Sequence, residues 1–388
     1  MKALAVAASI VLSALLLCIA WLAFFPGDAG DPVVTVAVAP PPPKPAEPPP
    51  QAAPPAPSGS QIELPPGFGI AGPKAQPQSA PGEPAAAPQR QTAAVPSAPG
   101  PPPALPPPPE TETASITLVQ VPVAELIEDS QYGPLPKVAP DGRRPLDVYA
   151  RPSRYAVKVA GQPPRIAVLI DGMGLSDGVT AEAIKALPAP VSVAYGAYGR
   201  NLQDWVTKAR AAGHEVLLQI PLEPMDYPTN DPGPHTLLTT LPPEENMKRL
   251  QWLMSRFTGY VGVTNQMGAK LETTQDAFLP VLEEVKARGL LFVDDGTTQN
   301  STGGQIAGTI GLDYAAADVQ IDAVSSPESI AKALSRLEAL SKERGSAIGV
   351  ASAKSATIKQ LAQWAGQLQG KGFVLIPVSA AIRSQSQS

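Results

Sequence analysis

A small set of polar side chains in the second half of this 388-residue chain has the types and positions to do chemistry. Asp171 stands in LIDGMGLSD, Glu223 in QIPLEP, Asn265 and Gln266 in GVTNQMGAK, and Asp294 with Asp295 in FVDDGTTQNS. Each follows an apolar run. A carboxylate in such a place can ligate a hard cation, exchange a proton with a substrate, or cap the next helix. Asn265 and Gln266 can orient a polar ligand by hydrogen bonds, but neither shuttles protons or holds a transition metal strongly. Strand alternation sends only one of the paired aspartates inward, and Asp294 is the expected one, with Asp295 a turn former. Of the two histidines, His214 precedes its apolar run and belongs at the opposite end of the sheet. His235 lies in the proline-stiffened loop PTNDPGPHT, which can fold over the strand ends. A phosphate loop is not indicated. No GxxxxGK[ST] occurs, and the glycine fingerprint starting at Gly172 and Gly174 lacks its third glycine.

The elements that must position these residues are eight apolar runs. They are IAVLI at 166–170, VSVAY at 191–195, EVLLQI at 215–220, YVGVT at 260–264, LLFVD at 290–294, DVQI at 318–321, AIGVA at 347–351 and FVLIPV at 373–378. Between them lie stretches such as 201–212 (Leu202, Trp205, Val206, Ala209) and 328–340 (Ile330, Leu334, Leu337, Leu340), whose spacing predicts helices packed on a sheet. Strands without a polar face that alternate with helices imply a parallel α/β sheet. Eight consecutive units favour a (β/α) barrel over an open doubly wound sheet. In either fold the carboxyl ends of the strands converge on one ligand site. Those ends supply Asp171, Tyr198, Glu223, Asn265, Gln266, Asp294, Asp295, Asp322 and Ser352, an acidic and amide-rich rim without histidine.

Composition leaves room for one such domain. Residues 3–25 carry no charge and are mostly apolar, which predicts a transmembrane signal-anchor over 1–25 rather than a cleaved signal peptide. Lys2 before the span and Asp28 and Asp31 after it orient the remainder outward, giving a single-pass inner-membrane protein with its C-terminal domain in the periplasm. Residues 26–115 read as a disordered Pro/Ala-rich linker. From Pro40 to Pro109, 27 of 70 residues are proline, too few apolar side chains remain to offset the entropy of ordering, and the tether reaches at most roughly 200 Å as polyproline II. An ordered lead-in segment is expected over 116–160, the barrel over 161–382 and a flexible tail over 383–388. Cys18, the only cysteine, lies in the apolar span, so disulfides contribute nothing beyond it. A net charge of −5 argues against nucleic acid as a partner.

The strings IAVLIDGMGLSD, GHEVLLQIPLEP, DPGPHTLL, YVGVTNQMGAK, LLFVDDGTT, SAIGVASA and VLIPVS, in this order, resemble the divergent polysaccharide deacetylase family over roughly residues 160–380. The resemblance implies a (β/α) barrel related to metal-dependent carbohydrate esterases. Those enzymes hold a metal with one aspartate and two histidines and remove acetyl groups from glycans with a metal-bound water and an acid/base pair. Asp171, Glu223, His235 and Asp294 match the pattern residue by residue. Three positions depart from it: Gly172 replaces a second aspartate, Gln266 replaces one histidine, and Gly349-Val350-Ala351 stands where the other histidine would be. No cofactor is expected with the family's imidazole geometry, and a divalent metal on Asp171, His235 and Asp294 is the arrangement left open. Three readings follow. The first is an envelope-glycan-binding barrel with weak or lost catalysis, in which Asp171, Glu223 and Asp294 would form the reaction centre and Asn265, Gln266 and His235 would bind substrate. The second is an active hydrolase built on Asp171, Glu223, Asp294 and His235. The third is an envelope scaffold that binds a protein partner.

Overall fold

The computed structural model describes residues 116–156 and 161–385. The expected anchor at 1–25 and linker at 26–115 lie outside the described residues. Among the described residues, no helix is long and apolar enough to cross a membrane.

A hairpin of β1 (Ile127–Ser130) and β2 (Gly133–Pro136) and a short helix α1 (Pro145–Tyr149) lead into the main sheet. There follow β3 (Arg165–Met173), α2 (Asp177–Ala186), β4 (Ser192–Gly196), α3 (Leu202–Ala211), β5 (Val216–Leu222), α4 (Pro243–Met254), β6 (Gly262–Met267), α5 (Ala269–Thr273) and α6 (Gln275–Ala287). The chain continues through β7 (Leu291–Asp294), α7 (Gly303–Ile310), β8 (Tyr314–Ala316), β9 (Val319–Gln320), α8 (Pro327–Arg344), β10 (Ser346–Ser352), α9 (Ser355–Leu368), β11 (Val374–Ile376) and α10 (Val378–Gln385). Helix starts follow local chemistry. Pro243 and Pro327 occupy first-turn positions where a missing N–H costs nothing, and the Ser326 hydroxyl accepts the Ser329 N–H at 3.2 Å. The expected amphipathic faces form, with Leu202, Val206 and Ala209 buried on α3 and Ile330, Leu334 and Leu337 on α8.

The nine strands β3 to β11 are parallel and run in the order β8-β7-β6-β5-β4-β3-β10-β9, with β11 against the first half of β3. The parallel α/β architecture is as expected from the unbroken apolar runs. An evenly closed ring of eight staves is not what forms: the sheet is a curved half-barrel of parallel strands. Among the described residues no ladder joins β8 to β9. The chain bridges this gap itself, because the Ala317 N–H donates to Asp294 O on β7 and the next N–H, of Asp318, donates to Ile348 O on β10, both at 2.8 Å. Two runs read differently as a result. DVQI yields only the two-residue β9, while Tyr314–Ala316 forms the unforeseen β8. FVLIPV yields the three-residue β11, which fills the place beside Arg165–Ala167 where β4 has not yet begun to pair.

Strand alternation separates two cores. Ile166, Val168 and Ile170 face the helices, whereas Ala167 and Leu169 point into the interior with Leu217, Leu291, Val293, Ile348 and Val350. Leu126, Leu146 and Tyr149 from the lead-in segment and Val378, Ala381 and Ile382 from α10 join that interior cluster and stop its amino-terminal end. Glu215, fully buried there, ties the stopper together. Its carboxylate accepts from the Ser379 N–H (3.1 Å), the Ser379 hydroxyl, the Arg151 N–H (3.1 Å) and the Ser192 hydroxyl (3.3 Å). Burial pushes its pKa up, and these donors oppose the shift. His214 sits beside it with Nδ1 2.8 Å from Val191 O. With the amino-terminal end of the interior filled, the polar side chains gather at the carboxyl ends of the strands.

Candidate functional site

At the carboxyl end, β3 breaks register between Ile170 and Met173. Gly172 there takes φ +72, a conformation that side chains resist, and its N–H donates to Gln219 Oε1 at 3.1 Å. The bulge leaves Asp171 on the interior face, partly exposed at the mouth. Ser352 is its register partner on β10, and the Ser352 N–H donates to Asp322 Oδ1 at 3.0 Å. Asp322 is further held by the Thr357 hydroxyl (3.0 Å) and lies 3.5 Å from Lys354 Nζ. Burial first, and then the charges of Asp322 and Asp295, push the Asp171 carboxyl up to about 7, against a lowering bond from Ser352 and the nearby Lys354. A carboxyl titrating near neutrality can exchange protons with a bound substrate.

Asp295, rather than Asp294, faces Asp171. Leu291 and Val293 fill the interior, so alternation turns Asp294 outward, and the fully apolar run LLFV gave no sign of this parity. Asp294 accepts the Tyr314 hydroxyl at 2.7 Å on the helix side, where Tyr314 also stacks on Phe292. Asp295 is 7 % exposed, and its Oδ1 accepts the Thr297 N–H (2.8 Å) and hydroxyl (2.6 Å). It therefore serves both as the expected turn former and as a wall of the mouth. Burial raises its pKa.

Asn265 is fully buried and works on the backbone. Its Oδ1 accepts the Asp295 N–H at 2.7 Å and its Nδ2 donates to Met267 O at 2.8 Å, so it shapes the mouth without facing a ligand. Thr264 and Gln266 lie on the opposite face of β6 from Asn265, in register with Gln219 and Pro221. Thr264 is 1 % exposed and its hydroxyl has no partner among the described residues.

Glu223 and His235 do not join Asp171. The Glu223 carboxylate accepts Lys270 Nζ (2.7 Å) and the Thr239 N–H (2.5 Å) and hydroxyl (2.7 Å). Burial alone would raise its pKa, but Lys270 and Thr239 outweigh that and hold it low, as suits an anchor for the 224–238 loop. His235 stacks on Trp252 with ring centroids 3.7 Å apart and planes 3° apart, and its own N–H donates to the Tyr198 hydroxyl. Arg256 also covers Trp252, 4.8 Å from the ring centre. Burial, then Arg249 and Arg256, lower the His235 pKa.

A second polar pocket, unmarked in the sequence, lies behind β6 and β7. Glu272 on α5 is fully buried, and neither of its carboxyl oxygens has a hydrogen-bond partner among the described residues. Burial, and then Asp294, push it up to about 8, with the neighbouring Thr298 hydroxyl opposing the shift. Its neighbour Gly268 adopts φ +115, and a Cβ there would lie 2.9 Å from Leu222 Cβ.

The residues present do not fit a metal centre with two imidazoles. Gln266 offers only an amide, Val350 belongs to the apolar interior, His235 is stacked away on Trp252, and Asp294 faces the helices. Among the described residues, no group of three histidine, cysteine, aspartate or glutamate side chains is arranged to hold a metal.

A crystal structure of the protein ATU2773 from Agrobacterium tumefaciens C58 is 40% identical, with a TM-score of 0.61, covering 64% of this chain and 99% of that one. The protein YibQ of Escherichia coli (strain K12) is 24% identical over 199 residues, which are 51% of this chain and 61% of YibQ. The chain thus spans about three fifths of that relative's length. A family model described as divergent polysaccharide deacetylase matches residues 168–382, from the first strand at the mouth to the helix that stops the barrel. That span is more than half of the chain and holds every residue of the mouth described above, so the chain belongs to the divergent polysaccharide deacetylase family.

Proposed function

We propose that this domain binds an envelope glycan at the barrel mouth and that hydrolysis by the metal-dependent route is lost or much weakened. The observation that carries the reading is the mouth itself. It gathers Asp171, Asp295, Asp322, Gln219 and Gln266 at the strand ends, with Asp171 and Gln266 partly exposed, yet the positions where the family would place histidines hold an amide and apolar residues. Hydroxyl-rich ligands suit such a rim, because carboxylates and amides together supply many acceptors and some donors. Residues 1–25 would hold the chain in the inner membrane, and the proline-rich tether would let the domain reach glycan in the periplasm. A second reading, an active hydrolase, draws on Asp171, whose carboxyl at about 7 could serve as acid or base.

The full chain, incubated with acetylated chitooligosaccharide and with peptidoglycan, separates the two. Retention of glycan without acetate release, abolished by Asp171→Ala, is the expected outcome. Acetate release that needs added zinc and vanishes with the same substitution would refute the loss of catalysis. Absence of retention on either polymer would refute glycan binding.

A further inference from the structure

The mouth carries more negative charge than a neutral acetylated sugar needs. Asp171, Asp295 and Asp322 lie together, with Lys354 the one basic side chain paired to them among the described residues. Above the Asp171 value of about 7, three carboxylates against one ammonium leave about two negatives among largely buried groups, and below it a bound cation draws off the Asp171 proton, so the group favours a cationic ligand. The carboxylates are also held apart. Asp322 is fixed by Ser352 and Thr357, and Asp295 by Thr297, so their oxygens do not converge as a small hard cation requires. Spaced acceptors around a cleft suit a larger cation that donates several hydrogen bonds, such as a primary ammonium.

A separate observation marks the floor of the cleft. Thr264 stands in register with Gln219 on one side and Val293 on the other. Val293 points into the interior, and Gln219 bonds the N–H next to Asp171, so the Thr264 hydroxyl is aimed at the base of the acidic group. It is buried and without a partner among the described residues, an unsatisfied donor and acceptor that a bound molecule can satisfy. A sugar hydroxyl next to an ammonium would meet both needs.

We propose that the mouth selects de-N-acetylated glycan, with the free ammonium of a glucosamine residue held among Asp171, Asp295 and Asp322 and a neighbouring hydroxyl on Thr264. The proposal rests on the glycan-binding reading and names which form of the glycan is bound. On this account the domain reads the product of a deacetylation performed elsewhere.

The test is calorimetric titration of the full chain at pH 7 with the glucosamine hexamer and with its fully N-acetylated counterpart. Glucosamine hexamer binding at least tenfold tighter, weakened severalfold by raising the salt from 50 to 300 mM, is expected. Asp295→Asn keeps the shape and the Thr297 bonds and should lower the preference at least fivefold. Thr264→Val should weaken the glucosamine hexamer without changing its salt dependence. Equal or tighter binding of the acetylated hexamer would overturn the proposal while leaving glycan binding intact. Binding of neither hexamer would overturn both. Magnesium or calcium binding that displaces the glucosamine hexamer and is lost in Asp295→Asn would assign the carboxylates to a metal instead.

Discussion

Replacing Glu272 with glutamine should make the stability of the protein depend less on pH, by an amount that follows from burial. The carboxyl is fully enclosed and is pushed from 4.5 up to about 8 by desolvation and then by Asp294, against a weaker lowering contribution from the Thr298 hydroxyl. Between those values the folded chain holds a proton that the unfolded chain has released, so stability falls as pH rises from about 4.5 to about 8. At roughly 1.4 kcal/mol per pH unit separating the two pKa values, the ionised group costs the fold up to about 5 kcal/mol at pH 8. Local relaxation and water entry reduce this, and about 2 kcal/mol is a conservative expectation. Glutamine cannot ionise. Its buried amide costs about 1–3 kcal/mol at every pH, which sets an offset but no slope. The difference between Glu272→Gln and the parent protein should therefore climb by about 2 kcal/mol or more between pH 5 and pH 8, or roughly 4–8 °C in melting temperature for a domain of this size. Urea denaturation at pH 5, 6.5 and 8 measures it. Parallel curves, or a variant that loses ground as pH rises, would show that Glu272 is hydrated or paired in solution and that the pocket behind β6 and β7 is not dry.

Four further substitutions probe the frame of the site. Glu215→Ala removes the common acceptor of Ser379, Arg151 and Ser192, and should destabilise by about 3 kcal/mol in urea denaturation, since it strands buried donors at the stopper. Lys270→Met leaves Glu223 bonded only to Thr239. Because Lys270 is 40% exposed, the expected loss is about 1 kcal/mol, with faster proteolysis inside residues 224–238. The folded pKa of Glu223 is lowered, so that contribution is present above about pH 4.5 and lost as pH falls below it. Gly268→Ala puts a Cβ at φ +115 against Leu222 and should cost about 1–3 kcal/mol by thermal denaturation, while Gly178→Ala, with open space around it, should be neutral or stabilising.

Much of the frame was legible in the chain. The run IAVLI predicts β3 because apolar residues on both strand faces imply helices on one side and a packed interior on the other, and both cores form. The spacing of Ile330, Leu334 and Leu337 predicts α8 for the same reason. The site was legible only in part. Asp171 and Asp322 stand at strand ends and meet there as expected, whereas Asp294 and Asp295 exchange places. An apolar run with no alternation carries no phase, so neighbouring aspartates cannot be assigned to a face from it.

Glu272 shows the limit most clearly. In GAKLETT it reads as an ordinary exposed helix residue, and only the approach of α5 to β5 over Gly268, with Asp294 behind, encloses it. Glu223 and His235, both plausible ligands by position, are drawn instead to Lys270 and Trp252, residues that lie 47 positions and 17 positions away along the chain. The sequence by itself determined the strand and helix periods, the placing of Asp171 at a strand end, and the absence of the paired histidines, because these depend on residue type and near neighbours. Which carboxylates share the mouth, which are spent on anchoring loops, and which are buried without a partner depended on long-range contacts, because a side chain's charge and access are set by what the fold places opposite it.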